Sequence, residues 1–327
     1  MQQSNGRIAT TMTKTIRRVE SAAAAPARVL AFHRVAPPTA GRRNLTVTAD
    51  SFSEQMQVLF RTAFVDAQID AIASHDRRLH RRGRHHFAIT FDDGYVDNLT
   101  TALPILEQND LPVTVFISTA FIGKPYFWWD RLDELTSNAD QRSTLVNAAC
   151  SLQLLAEQQE DELAVATPDQ INRALERRLE RLVLEERNDL LDELSQLTGC
   201  KPLDSSARPL NESELVRLAS HPLVTIGCHG HRHLKLGQSD RADAAKDILH
   251  SKQALAAVLG PRQHTFAYPH GSHDKTSVSL VKEAGFSLAF TTDSRPVSIL
   301  DSKWRLPRIA TADIGGEEFA RRRRLPI

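Results

Sequence analysis

Short apolar runs recur along the chain at residues 29–32, 87–91, 113–117, 223–226, 265–268 and 287–291, each closed by polar, glycine or proline residues. Runs of this length between breakers read as buried strands. Helical periodicity fills most of the gaps, as at 52–64 and 99–108. Strands that alternate with helices imply an α/β fold built on a parallel sheet or barrel. Functional side chains in such folds gather in loops at the C-terminal strand ends. The chemistry is therefore to be sought just after each apolar run.

One stretch breaks the alternation. Residues 131–205 contain no good strand, while Leu175, Leu179, Leu182, Leu190, Leu191 and Leu194 recur at helical spacing among many charges. This predicts a helical insertion, serving as a packed excursion with a solvated outer face, or as a lid or dimer contact. The barrel is expected over 27–130 and 206–312. Residues 1–26 are expected to be a disordered leader and 313–327 a basic tail. Lys14, Arg17 and Arg18 precede an Ala-rich stretch, which superficially suggests export. No apolar run of roughly 7–15 residues follows, as a secretory signal needs, and none approaches the about 18 residues of a membrane span. A cytoplasmic protein is the expectation, in keeping with only three, widely spaced cysteines.

A net charge of +1 points to no partner. Two basic runs, 77–86 and 321–324, lack interleaved aromatics and any recognisable nucleic-acid motif. They read as a solvated loop and a solvated tail, and no nucleic-acid partner is expected.

Two strand ends carry the chemistry. The run FAITFDDGY (87–95) drives an apolar strand into adjacent carboxylates and a glycine. Side chains of neighbouring strand residues point apart, but a glycine turn brings both toward one pocket. Two charges beside a buried strand are costly without a cation or other partner. One carboxylate would hold a metal while the other accepts a proton; a helix N-cap or turn pair is the bland alternative. The run VTIGCHGHRH (224–233) ends a second strand in histidines. His229 and His233 stand at i, i+4, which on a helical turn gives one face, and His231 should point elsewhere. One Asp and two His form a familiar set for a divalent metal with open positions. Cys228 reads as a small buried residue rather than a ligand.

These motifs resemble those of the polysaccharide deacetylase family, the NodB-homology or carbohydrate esterase family 4 fold, over residues 27–312. TFDDG (90–94) looks like the family's first motif and HGHRH (229–233) like its second. The resemblance implies a distorted (β/α)7–8 barrel, Asp92 as catalytic base, and Asp93, His229 and His233 as metal ligands. FAYPHG (266–271) resembles the third motif of a subgroup acting on exopolysaccharides and surface glycans, with His270 where that form has Tyr. The family's C-terminal histidine motif is absent. VLAFHRV (29–35) instead resembles the start of circularly permuted members, which implies His33 as general acid. Arg308, in LPRI (306–309), resembles the subgroup's late arginine and by that likeness pairs with Asp92. FWWD (127–130) also resembles the subgroup. Tyr95, Trp128, Tyr268, Pro269 and His270 are then expected at the substrate, Trp128 by stacking on a sugar face.

The expected activity is hydrolysis of an N-acetyl group on a sugar, using a divalent metal, with zinc the default and cobalt, nickel, manganese or iron the other candidates. The expected partner is an N-acetylated glycan or a lipid- or nucleotide-linked sugar, with the helical insertion a candidate homo-oligomer contact. Two alternatives stand beside this: an O-acetyl esterase or other C–N hydrolase on the same scaffold, and a carbohydrate-binding relative without catalysis.

Overall fold

Each predicted strand forms, within a residue or two of its expected bounds. The structure is a computed structural model that describes residues 27–37, 45–62, 64–65, 69, 72, 86–156, 163, 165–200 and 207–325. The leader at 1–26 and nearly all of the basic run at 77–86 lie outside the described residues. The main sheet contains β1 (Arg28–Phe32), β2 (His86–Phe91), β3 (Val113–Ile117), β4 (Val224–Cys228), β5 (Thr265–Ala267), β6 (Leu288–Phe290) and β7 (Ile309–Ala310). Their order is β7-β1-β2-β3-β4-β5-β6, and every pairing is parallel. A two-residue strand, Phe64–Val65, pairs with the start of β2. Residues 303–306 hydrogen-bond along β6, and β7 then pairs with β1, so one short segment bridges both edges of the curled sheet.

The strands bury both faces, and alternation sorts their side chains. Leu30, Phe32, Ile89, Phe91, Val115 and Ile117 face outward and share one core with the surrounding helices. Those helices are α1 (Ala49–Thr62), α2 (Leu103–Gln108), α7 (Glu212–Ala219), α8 (Arg241–Leu259), α9 (Lys275–Glu283) and α10 (Gly316–Arg323). Val29, Ala88, Phe116, Ala267 and Phe290 face the opposite way and fill a separate interior cluster. Gly227 lies on that crowded inner side, where a Cβ would meet the Phe116 ring at 2.5 Å and Thr265 Oγ1 at 2.6 Å.

Between β3 and α7 the chain forms α3 (Trp128–Ser137), α4 (Arg142–Ser151), α5 (Pro168–Leu179) and α6 (Leu184–Thr198). They enclose their own core, in which Leu175, Leu179, Leu191 and Leu194 are fully buried. Thr167 and Gln170 cap α5 reciprocally, and Gly199, at φ 67°, ends α6 in the left-handed conformation. The helical stretch begins at Trp128 rather than 131, and its core extends to Phe121, Phe127 and Tyr95. No helix among the described residues is long and apolar enough to cross a membrane.

The C-terminal region departs from expectation. Residues 313–327 read as a solvated tail, yet α10 docks against α1. Phe319 is fully buried in the main core. Glu54 Oε2 accepts from Gly316 N at 2.7 Å, and Gln55 Nε2 donates to Ala312 O and Ile314 O. The arginines at 321–324 occupy the helix end and its outer side, so the charge run masked an apolar anchor.

Candidate active site

The inner face of β2 continues past its last residue. Ala88 and Thr90 point inward, and the next position in that alternation is Asp92, only 2% exposed. Asp93 would by the same rule point outward. Its φ of 71°, followed by 91° at Gly94, turns the chain and returns the second carboxylate to the first one's side. Gly94 is also packed against β3, since a Cβ there would lie 2.7 Å from Ile117 Cδ1. Non-glycine residues seldom adopt positive φ, and Asp tolerates it better than most.

His33 follows β1 directly. Asp92 N donates to Phe32 O at 3.0 Å, which places His33 Nε2 3.9 Å from Asp92 Oδ2. His229 follows β4 in the same manner and is 2% exposed. Its Nδ1 lies 2.9 Å from Ala267 O. A carbonyl only accepts, so Nδ1 carries the proton and Nε2 presents a lone pair. That Nε2 is 3.6 Å from Asp93 Oδ1, and His233 Nε2 is 3.3 Å from the same oxygen. Burial pushes the His229 imidazole's pKa down, against the pull of Asp92. One ligand atom each from Asp93, His229 and His233 falls within a set spanning no more than 4.8 Å. The donor types fit a divalent metal, and the Ala267 carbonyl orients His229 as such ligands are usually oriented.

The two histidines do not share a helical turn. Residues 229–233 form a loop, with φ of 72° at Gly230 and 59° at His233, so i, i+4 spacing brings the rings together by a different route. His231 turns away, its Nδ1 2.8 Å from Thr119 Oγ1. Cys228 is fully buried in the main core, on the outward side of the sheet, and burial pushes its thiol up to about 12.

Arg308 reaches Asp92 from the segment just before β7. Its guanidinium is fully buried and donates twice to the carboxylate, Nη1 to Oδ1 at 2.6 Å and Nη2 to Oδ2 at 2.7 Å. Nε donates to Thr291 O, and Nη1 also to Thr90 Oγ1. Burial alone would raise the Asp92 pKa; Arg308, then His229, outweigh it and hold the carboxyl well below the usual range.

The residues expected at the substrate divide. His270, at φ 56°, is exposed, with its ring 4.5 Å from that of His233. Pro269 is buried in the same tight turn. Tyr95 and Tyr268 are fully buried: Tyr95 donates to Asp130 Oδ2 at 2.8 Å, and Tyr268 to Trp304 O at 3.1 Å. Trp128 is 5% exposed inside the helical core, beneath the Arg187 guanidinium. These three side chains therefore stand in the core. Trp129 is the aromatic that reaches the site, its ring 4.7 Å from His233. Both tryptophans are buried on α3, so periodicity does not separate them; only the helix's rotation toward the loop does.

The curled parallel sheet thus gathers Asp92, Asp93, His33, His229 and His233 at its C-terminal edge, and three of these, Asp93, His229 and His233, could hold a metal ion. The family model described as polysaccharide deacetylase matches residues 80–181 and 197–289, more than half of the chain. The chain belongs to the polysaccharide deacetylase family. His33 and Arg308 lie outside both matched segments, and the gap between the segments, 182–196, falls mostly in α6. A poly-beta-1,6-N-acetyl-D-glucosamine N-deacetylase of Staphylococcus aureus (strain MSSA476) is 27% identical over 88 residues, which is 27% of this chain and 30% of that protein. The match thus spans under a third of that relative. Among solved structures, Streptococcus pyogenes deacetylase PplD in complex with acetate aligns at TM-score 0.57 and 16% identity, over 91% of this chain and 97% of that one. IcaB from Ammonifex degensii aligns at 0.57 and 15%, over 92% and 96%. At such identities these structures speak for the fold.

Proposed function

We propose that this protein removes N-acetyl groups from a sugar of a polysaccharide or glycan-biosynthesis intermediate, with a divalent metal held by Asp93, His229 and His233. The observation that carries this is the convergence of those three ligand atoms within 4.8 Å, beside a second carboxylate clamped by Arg308. Bound there, a metal would polarise the acetyl carbonyl and acidify a water. Asp92, whose charged form the Arg308 guanidinium favours, accepts the attacking water's proton. The Arg308 clamp makes it a weak base of fixed orientation, suited to a water already acidified. Water oxygen adds to the carbonyl carbon. Pro269 has no amide hydrogen and Gly271 N donates to Tyr268 O, so this reading assigns the developing oxyanion a hydrogen bond from His270 N. His33, whose Nε2 lies 3.9 Å from Asp92 Oδ2, gives its proton to the departing nitrogen as the C–N bond breaks. The products are acetate and an amino sugar.

Acetate release from a panel of N-acetylated glycans, with and without chelator, tests the reading. Chelation should abolish release and added zinc or cobalt should restore it. Release from O-acetyl but not N-acetyl substrates would redirect the assignment to an esterase. Asp92→Asn should lose at least about a hundredfold in turnover, the usual scale for a general base, while keeping its metal. Loss of the metal from that variant would overturn the division of roles.

A further inference from the structure

The loop between the two histidine ligands is irregular, and something must hold it. Asp247, on α8, is 1% exposed. Its Oδ2 accepts from His231 N at 2.8 Å, and its Oδ1 accepts from Arg232 N at 2.8 Å and Arg232 Nε at 3.4 Å. A carboxylate is costly to bury unless its oxygens are satisfied, and here they are satisfied by consecutive residues of one loop. The opposite edge of the loop is held too. Thr119 N donates to Gly230 O at 3.2 Å and Ala120 N to His231 O at 2.9 Å. Gly230 makes room for the arrangement, since a Cβ there would sit 2.8 Å from Asp247 Oδ2 and 3.3 Å from Pro269 Cγ.

We infer that Asp247 is the positioning residue of the metal site: it sets the path of residues 230–232 and thereby the separation of His229 and His233. The inference rests on the metal-binding reading above. A loop with two left-handed residues has many competing conformations, and most would place His233 away from Asp93. Charge-assisted bonds to two successive amides select one of them. No touch on the metal or substrate is required of Asp247.

The test measures zinc and cobalt affinity by competition with a chromophoric chelator, together with the visible spectrum of the cobalt form and far-UV circular dichroism. Asp247→Asn keeps one acceptor and turns an NH2 toward the other amide. It should bind metal about tenfold more weakly, the lower end of what outer-shell partners contribute, and show an altered cobalt spectrum with wild-type dichroism. Gly230→Ala perturbs the same contact from the loop side and should move both readouts in the same direction. It also stands in if Asp247→Asn fails to fold. Leu255→Ala, two turns further along α8 and fully buried in the main core, should lower stability and leave affinity and spectrum unchanged. Wild-type affinity and spectrum in folded Asp247→Asn or Gly230→Ala would overturn this inference alone. A wild-type protein that binds no metal would overturn the metal-binding reading and this inference with it.

Discussion

Arg308 and Asp92 form a fully buried pair whose two hydrogen bonds are short and parallel. Removing one partner strands the other charge in the interior. Arg308→Met should cost roughly 3–5 kcal/mol by denaturant unfolding at pH 7. The sign of the pH effect follows from the direction of the shift. Asp92's folded pKa is depressed, so its contribution is complete above the unfolded value of about 4 and is lost as pH falls toward the folded value. The stability gap between wild type and Arg308→Met should therefore narrow on acidification, and a gap constant from pH 7 to pH 3 would contradict the pairing's electrostatic origin. His33, Asp92, Asp93 and His229 were legible because each follows an apolar run, whereas Arg308 follows none and was reached only through the family resemblance. Facing was less so. Tyr95, Tyr268 and Trp128 carry the chemistry of sugar contacts, but an aromatic's exposure depends on how a turn or helix is rotated, which local sequence does not encode. Asp247 left no local signal, because one acidic residue on a charged helix looks like any other.

At the scale of elements, strand positions followed closely from apolar runs between breakers, since both faces of a parallel sheet are buried. The very short β7 offered no such run, and its place beside β1 is set by long-range pairing. The C-terminal helix is the instructive miss. Three arginines dominate its composition, while one phenylalanine decides its fate. Phe319→Ala should destabilise the protein by roughly 3–5 kcal/mol, measured by urea unfolding. Neutralising Arg321 and Arg322, both exposed, should change stability by less than about 0.5 kcal/mol. The helical stretch between β3 and α7 was readable from leucine periodicity; its link to the catalytic centre was not. That link is Trp129, whose ring lies tilted against that of His233 and whose Nε1 donates to Tyr95 Oη at 2.9 Å. Trp129→Phe should cost about 1 kcal/mol for the lost hydrogen bond and leave metal affinity intact, as read by unfolding and metal competition in parallel.

Across the whole molecule, the site draws on distant parts of the chain. His33 follows the first strand, the carboxylates the second, His229 and His233 the fourth, and the arginine clamp precedes the last. The sheet is bridged at its edges by residues 303–310, and Arg308 is part of that bridge. Asp92 and Arg308 are 216 positions apart. During synthesis at about 5–20 residues per second, the carboxylate thus exists for on the order of ten to forty seconds before its partner is made. Until then the half-finished protein has a strong reason to keep that strand end in water, and the last strand acts as a clasp whose arrival lets the interior close.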